Sequence, residues 1–172
     1  MPPDPALQLP AEVEAVFQNF RTCELTTIGK DSTPATWPVL PFWQPERGRF
    51  LITTSVGFPQ KAFNVRRNRR VSLLFSDPTA SGLTRPPAVF VQGDAEAPDE
   101  VVTTVRGFER ELEEVFRRQP AGKFYSSNPL TRYYFDWYYM RLMINVTPRR
   151  IVQWPDGDFG QPPQEVWRRN VA

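Results

Sequence analysis

The sequence predicts a mainly β protein, a small antiparallel barrel with helices at its ends. Three observations carry that expectation. From Cys23 onward, short stretches alternate apolar and polar residues between turn-forming clusters, the period-2 signature of half-buried strands. Helical spacing is confined to a segment before the strands, a short basic turn among them and one long segment before the last strand. That order lacks the regular β-α-β alternation of a doubly wound sheet. No GxGxxG or Walker-type loop is present either.

At 172 residues the chain has the length of one ordinary domain, long enough to bury a core without metal or disulfide staples. With 40% hydrophobic and 23% charged residues, it has the composition of a soluble globular protein. We therefore expect a single domain over residues 1–172, with its core in 10–154 and a C-terminal arm in 155–172. The 19 prolines gather near the N-terminus, around residues 34–45, at Pro86 and Pro87 and in the tail, marking connections and edge strands.

The elements follow in order. Val13, Val16, Phe17 and Phe20 recur at helical spacing in AEVEAVFQNF, residues 11–20, a short amphipathic helix. Residues 23–55 contain three strand candidates, broken by the turn signals Gly29-Lys30-Asp31-Ser32 and Pro45-Glu46-Arg47-Gly48. A short basic helix is expected over 60–68, then a fourth strand in which Val71, Leu73 and Phe75 alternate with Ser72 and Ser76. In AVFVQGDAEA, residues 88–97, Val89, Val91, Gly93 and Ala95 share one face; Phe90, Gln92, Asp94 and Glu96 share the other. The second face is polar for a strand, so it looks into a site or into solvent. Asp99 is placed as the N-cap of a helix over 100–118, weakened by Gly107. A last strand alternates Met140, Leu142, Ile144 and Val146 with Arg141, Met143, Asn145 and Thr147. The tail from Trp154 reads as a surface arm.

Composition also excludes chemistry. Histidine is absent, which removes Ser-His-Asp catalysis, histidine-ligated metal and an imidazole base. Cys23 is the single cysteine, and no metal-ligand spacing surrounds it, so it reads as a small core residue and no metal is expected. No stretch approaches the roughly 18 consecutive apolar residues of a membrane span, and no signal pattern opens the chain. A cytoplasmic protein with no membrane partner is expected. Net charge is +2 although 18 of the 21 basic residues are arginine, many of them paired. That balance argues against a nucleic-acid surface and leaves local anion sites open.

The run ERGRFLITTSVGFPQKAFNVRRNRRVSLLF, residues 46–75, resembles the central segment of the pyridoxamine 5'-phosphate oxidase family, the FMN-binding split barrels. The shared order is a turn, a strand ending in hydroxyl residues, a lysine opening a short helix, an asparagine and an apolar strand. The segment AVFVQGDAEA is similar to the family's next strand, so the likeness covers about residues 11–100 and, in element order, reaches about 152. Alone, Lys61 would read as a solvated lysine. The resemblance implies that Thr53, Thr54 and Lys61 hold a cofactor phosphate, with Arg66 or Arg67 as a second charge. A helix start with free N–H groups beside a lysine suits an anion. Arg66, Arg67, Arg69 and Arg70 cannot all face one ligand, because successive helix residues diverge by about 100°. Thr53 and Thr54 likewise point to opposite faces of a strand.

Further roles follow from the same likeness. Trp37, Val39 and Phe42 would cover the flavin's dimethylbenzene edge, or else belong to the core. Gln92 would donate to the ring's pyrimidine side, or else make an ordinary cross-strand bond. Asp77 and Asp94 are the acids nearest the expected site. The cluster Tyr133, Tyr134, Phe135, Trp137, Tyr138 and Tyr139 suggests a subunit interface. A homodimer with the cofactor at that interface is therefore expected.

The chain also departs from the family. Gln60 stands where the oxidases carry a basic residue, Trp37 and Phe42 replace basic positions of the second strand, and no histidine is available for the oxidases' substrate-binding pair. The expectation is an FMN-dependent oxidoreductase that is not a pyridoxamine phosphate oxidase. A reductase using the deazaflavin coenzyme is the alternative within the same fold. From other classes, the alternatives are a non-catalytic cofactor-binding or interaction module and, against the near-neutral charge, a single-strand nucleic-acid binder.

Overall fold

The computed structural model describes residues 7–103 and 140–169. Helix α1 (Ala11–Asn19) opens the chain, followed by strands β1 (Cys23–Ile28), β2 (Pro34–Val39) and β3 (Pro41–Gln44). A 3-10 turn at Pro45–Arg47 leads to β4 (Arg49–Ser55), helix α2 (Gln60–Arg67), β5 (Arg70–Phe75) and β6 (Ala88–Glu96). Then come β7 (Val101–Val102), β8 (Arg141–Trp154), a second 3-10 turn at Pro155–Gly157 and β9 (Gln164–Arg168). Every strand pairing among the described residues is antiparallel.

The strands lie in the order β2-β1-β5-β6-β8-β4-β3, with β7 and β9 added alongside β8. The two ends of that order are consecutive in the chain, separated by Leu40 alone. Residues 34–44 therefore form one bent strand that serves both edges, which curls the sheet into a barrel. The sequence reads as three strands over 23–55, whereas the structure has four. A break at Leu40 carries no glycine and is invisible to hydropathy.

Alternation fixes which face is inside. Phe50 and Ile52 of β4, Leu73 and Phe75 of β5, Val89 and Val91 of β6, and Ile144 and Val146 of β8 are fully enclosed. Helix α1 closes one end of the barrel with Val13, Val16 and Phe17. There Phe17 meets Phe50 at 4.8 Å, Phe75 at 5.0 Å and Trp43 at 5.3 Å between ring centroids, separations typical of favourable aromatic pairs. Helix α2 packs at the other end through Ala62, Asn64 and Val65.

Gly93 lets β6 and β8 approach closely, since a Cβ there would lie 2.9 Å from both the Thr147 carbonyl oxygen and Val146 Cγ1. The register shifts at this point, Gly93 opposing Pro148 and Gln92 opposing Arg150. The extra residue, Arg149, is a β-bulge that sharpens the local twist.

Two expectations are corrected. Asp99 does not start a helix, because Val101 and Val102 pair with Leu142 and Arg141 as β7. The rest of the segment expected to be helical lies outside the described residues. The tail is more than a surface arm, because β9 pairs with β8 and its Val166 and Trp167 pack against the core. No helix among the described residues is long and apolar enough to cross a membrane.

Candidate functional site

The turn between β4 and α2 is built by hydroxyl groups. Thr54 Oγ1 donates to the Phe58 carbonyl at 2.9 Å, and Ser55 Oγ accepts from the Gly57 N–H at 3.2 Å. The Phe58 N–H closes the turn on the Ser55 carbonyl at 2.9 Å. Thr54 and Ser55 are both buried, so these bonds fix the direction in which α2 leaves the strand. Thr53 is half-buried, opposite Met143 on β8; the next pair in the ladder is Thr54 with Leu142, and then Ser55 with Arg141.

Lys61 sits in the first turn of α2 and is half-buried. Its ammonium lies 5.5 Å from the centroid of the Trp37 ring on β2, within cation–π range. Burial holds the Lys61 pKa below its ordinary value, and the positive charge of Arg141 lowers it further. Arg141 stands opposite Ser55 at the end of β4 and adds its positive charge to the surroundings of Lys61, while Trp37 lies under the lysine. Among the described residues Lys61 forms no ion pair with a carboxylate. The sequence alone does not mark Arg141 as a site residue. Its only signal there was a charge on the polar side of an otherwise apolar strand, and the pairing of β8 with β4 reveals its place.

Asn64 anchors this helix to the barrel. It is 1% exposed, and its Nδ2 donates to Thr27 Oγ1 of β1 at 2.9 Å. Its Oδ1 accepts from Gln60 Nε2 at 2.9 Å and from the Arg67 guanidinium. One buried amide therefore sets the orientation of two side chains that flank the helix. Arg66 turns the other way, with Nε on the Ala97 carbonyl at 2.8 Å, Nη2 on the Pro98 carbonyl at 2.7 Å and Nη1 beside Asp99 at 2.7 Å. It ties the loop after β6 to α2.

The other expected site residues lie elsewhere on the barrel. Val39 is 7% exposed within the core cluster, opposite Cys23. Phe42 is buried opposite Leu51. Gln92 is exposed on the outer face of β6, between Ser72 and Arg150. Asp94 is flanked by Arg70 at 3.4 Å, Arg149 at 3.7 Å and Arg69 at 3.9 Å. Asp77 follows β5, at the opposite end of the barrel from α2, and accepts the Thr79 N–H at 2.9 Å. Cys23 is buried, and burial raises its thiol pKa well above the ordinary value, which suits a packed residue and not a nucleophile. The aromatic cluster at 133–139 lies outside the described residues. Among those residues no group of three or more metal-ligating side chains comes together.

No protein-family model matches the chain, and no curated protein matches it. Solved structures do. A conserved hypothetical protein from Mycobacterium tuberculosis is 23% identical, with 100% of this chain and 98% of that one covered and a TM-score of 0.56. An F420 reductase is 22% identical over 80% of this chain and 94% of its own, with a TM-score of 0.55. A protein of the pyridoxinephosphate oxidase family from Clostridium acetobutylicum, related to general stress protein 26, is 10% identical. It covers 90% of this chain and 92% of its own, with a TM-score of 0.55. At these identities the likeness establishes the fold, the split barrel that flavin and deazaflavin proteins share.

Proposed function

We propose that this split-barrel chain binds a phosphorylated flavin-type cofactor at the end of β4 and acts as an oxidoreductase on a small organic substrate. The observation that supports the reading is the half-buried Lys61 at the start of α2, over Trp37 and beside the hydroxyl-built turn, with Arg141 opposite Ser55 at the end of the same strand. Burial disfavours the charge of Lys61 and the positive charge of Arg141 adds to that, and a bound anion would stabilise the ammonium while gaining charge-assisted hydrogen bonds. The donor set fits a phosphate monoester, with one ammonium, one guanidinium, the Thr53 hydroxyl and backbone N–H groups at a helix start.

FMN is the preferred cofactor, and it supplies the hydride chemistry when bound. The chain's own residues then have limited tasks. Lys61 and Arg141 hold the phosphate, Trp37 covers part of the site and keeps water out, and Asn64 keeps Arg67 and Gln60 in place beside them. With no histidine in the chain, a proton moves through solvent, substrate, a tyrosine or a carboxylate. The missing histidine also supports an activity other than pyridoxamine phosphate oxidation. The cofactor sits at the interface of a homodimer in this reading.

The deazaflavin coenzyme is the second reading, favoured by the F420 reductase among the structural neighbours. The test is to load the protein with FMN or the deazaflavin coenzyme, reduce it anaerobically and add menadione or a nitroaromatic as acceptor. Reoxidation faster than that of the free cofactor supports an enzyme. Tight binding without accelerated reoxidation points to a storage or sensing module.

A further inference from the structure

The end of the barrel opposite α2 holds a cleft of about 410 Å³, in the size range of sites for one small molecule, roughly 300–1,000 Å³. Phe20, Leu83, Pro87 and Ala88 give it an apolar floor. Across its mouth Arg85 Nη2 bonds Asp156 Oδ2 at 3.1 Å.

The backbone around this mouth is strained. Arg85 has φ 49° and Asp156 φ 54°, left-handed conformations that cost an ordinary residue about 1–2 kcal/mol. Arg85 also precedes Pro86, a position biased toward extended backbone. Ala80, with φ 57°, occupies the third position of the turn closed by the Ser81 N–H on the Pro78 carbonyl, where glycine is favoured. Two of the four non-glycine residues with positive φ among the described residues, Arg85 and Asp156, therefore line this cleft, and Ala80 directly follows its lining residues Pro78 and Thr79. The ion pair does not offset this strain, because its side chains are 75% and 55% exposed and such pairs contribute about 0–1 kcal/mol. Strain of this kind gathers at ligand clamps.

The charges define the ligand. Arg85 and Asp156 satisfy each other over the apolar floor, so a purely anionic or purely cationic guest would have to break their pair and leave one of them unpaired. A guest carrying both charged groups on one carbon can replace that pair on both sides. We infer that this cleft binds an α-amino acid with an apolar side chain, its carboxylate on Arg85, its ammonium on Asp156 and its side chain against Phe20 and Leu83. This site lies at the other pole from Lys61 and does not depend on the cofactor reading.

The test is calorimetric titration of the full chain with L-phenylalanine and L-leucine, beside phenethylamine, which lacks the carboxylate, and 3-phenylpropanoate, which lacks the ammonium. We expect a dissociation constant of about 1 mM or tighter for an amino acid and a loss of about tenfold or more for each analogue. Arg85→Ala is expected to bring L-phenylalanine down to the level of phenethylamine and leave phenethylamine itself unchanged. No heat from either amino acid at about 20 mM would overturn the inference. So would analogues that bind as well as the amino acid, or unchanged binding in both Arg85→Ala and Asp156→Ala. The analogue series on the unmodified chain reads the same two charges even if a variant fails to fold.

Discussion

The ammonium of Lys61 lies over the Trp37 ring, 5.5 Å from its centroid, joining the start of α2 to the middle of β2. The contact holds a charge that its surroundings otherwise disfavour, since burial and Arg141 both lower the Lys61 pKa. Lys61→Met keeps the side-chain stem and removes the charge. We expect FMN affinity to fall by about tenfold or more in fluorescence titration, the worth of one charge-assisted phosphate contact. The pH dependence has a definite sign. The folded state binds fewer protons at Lys61 than the unfolded chain, so in the free protein this group's contribution to stability rises with pH between the lowered pKa and 10.5. Denaturant titrations across that window should show the rise in the unmodified chain and not in Lys61→Met.

Asn64 is the buried link between α2 and β1. Asn64→Ala removes the partner of the Thr27 hydroxyl, which is 0% exposed, and releases Gln60 and Arg67. Leaving a buried polar group unsatisfied costs about 1–3 kcal/mol. A urea unfolding curve should shift by that amount, and FMN affinity should drop as well because the helix start loses its anchor. Full stability in this variant would mean that the network is not what seats the helix.

Much of this architecture is legible in the sequence because its strands bury one face and alternate. β1, β5, β6 and the first half of β8 appear where period-2 patterning places them, and α1 where Val13, Val16 and Phe17 recur at helical spacing. Breaks and pairings of short segments are less legible. Leu40 interrupts a continuous extended stretch, and Val101–Val102 follows a helix-like cap but pairs with β8. β9 is a five-residue strand of mixed polarity whose partner is distant in sequence. The site is legible only in part. Lys61 and Trp37 lie far apart in sequence and meet in space, whereas Arg141 gains meaning solely from standing opposite Ser55. Arg66 and Arg67 look equivalent as a pair, yet one braces the loop at 97–99 and the other bonds Asn64.

Gly93 sits where β6 and β8 approach too closely for a Cβ. Gly93→Ala would bring a Cβ to 2.9 Å from a backbone oxygen, which the β8 strand has to relieve by moving. We expect destabilisation of about 1–3 kcal/mol, as for other overpacked sites, read from the thermal or denaturant midpoint.

The β9 strand has its own pH signature. Hydrogen bonds from Arg168 and Arg150 hold the Glu165 carboxyl at about 2, well below its ordinary value. The stabilisation is present above the unfolded value of 4.5 and is lost as pH falls toward about 2. Trp167, next in the strand after Val166, should report loosening of β9 by its fluorescence over that window. Glu165→Gln should make the signal nearly flat with pH.

The most direct measurement of the central claim compares FMN with riboflavin, which differ by the phosphate alone, in titrations of the purified chain followed by flavin fluorescence. The account predicts that FMN binds at about 1 μM or tighter and riboflavin at least about tenfold more weakly, with the difference shrinking in Lys61→Met. Equal binding of the two, or of neither FMN nor the deazaflavin coenzyme, would contradict a phosphate socket at Lys61 and Arg141.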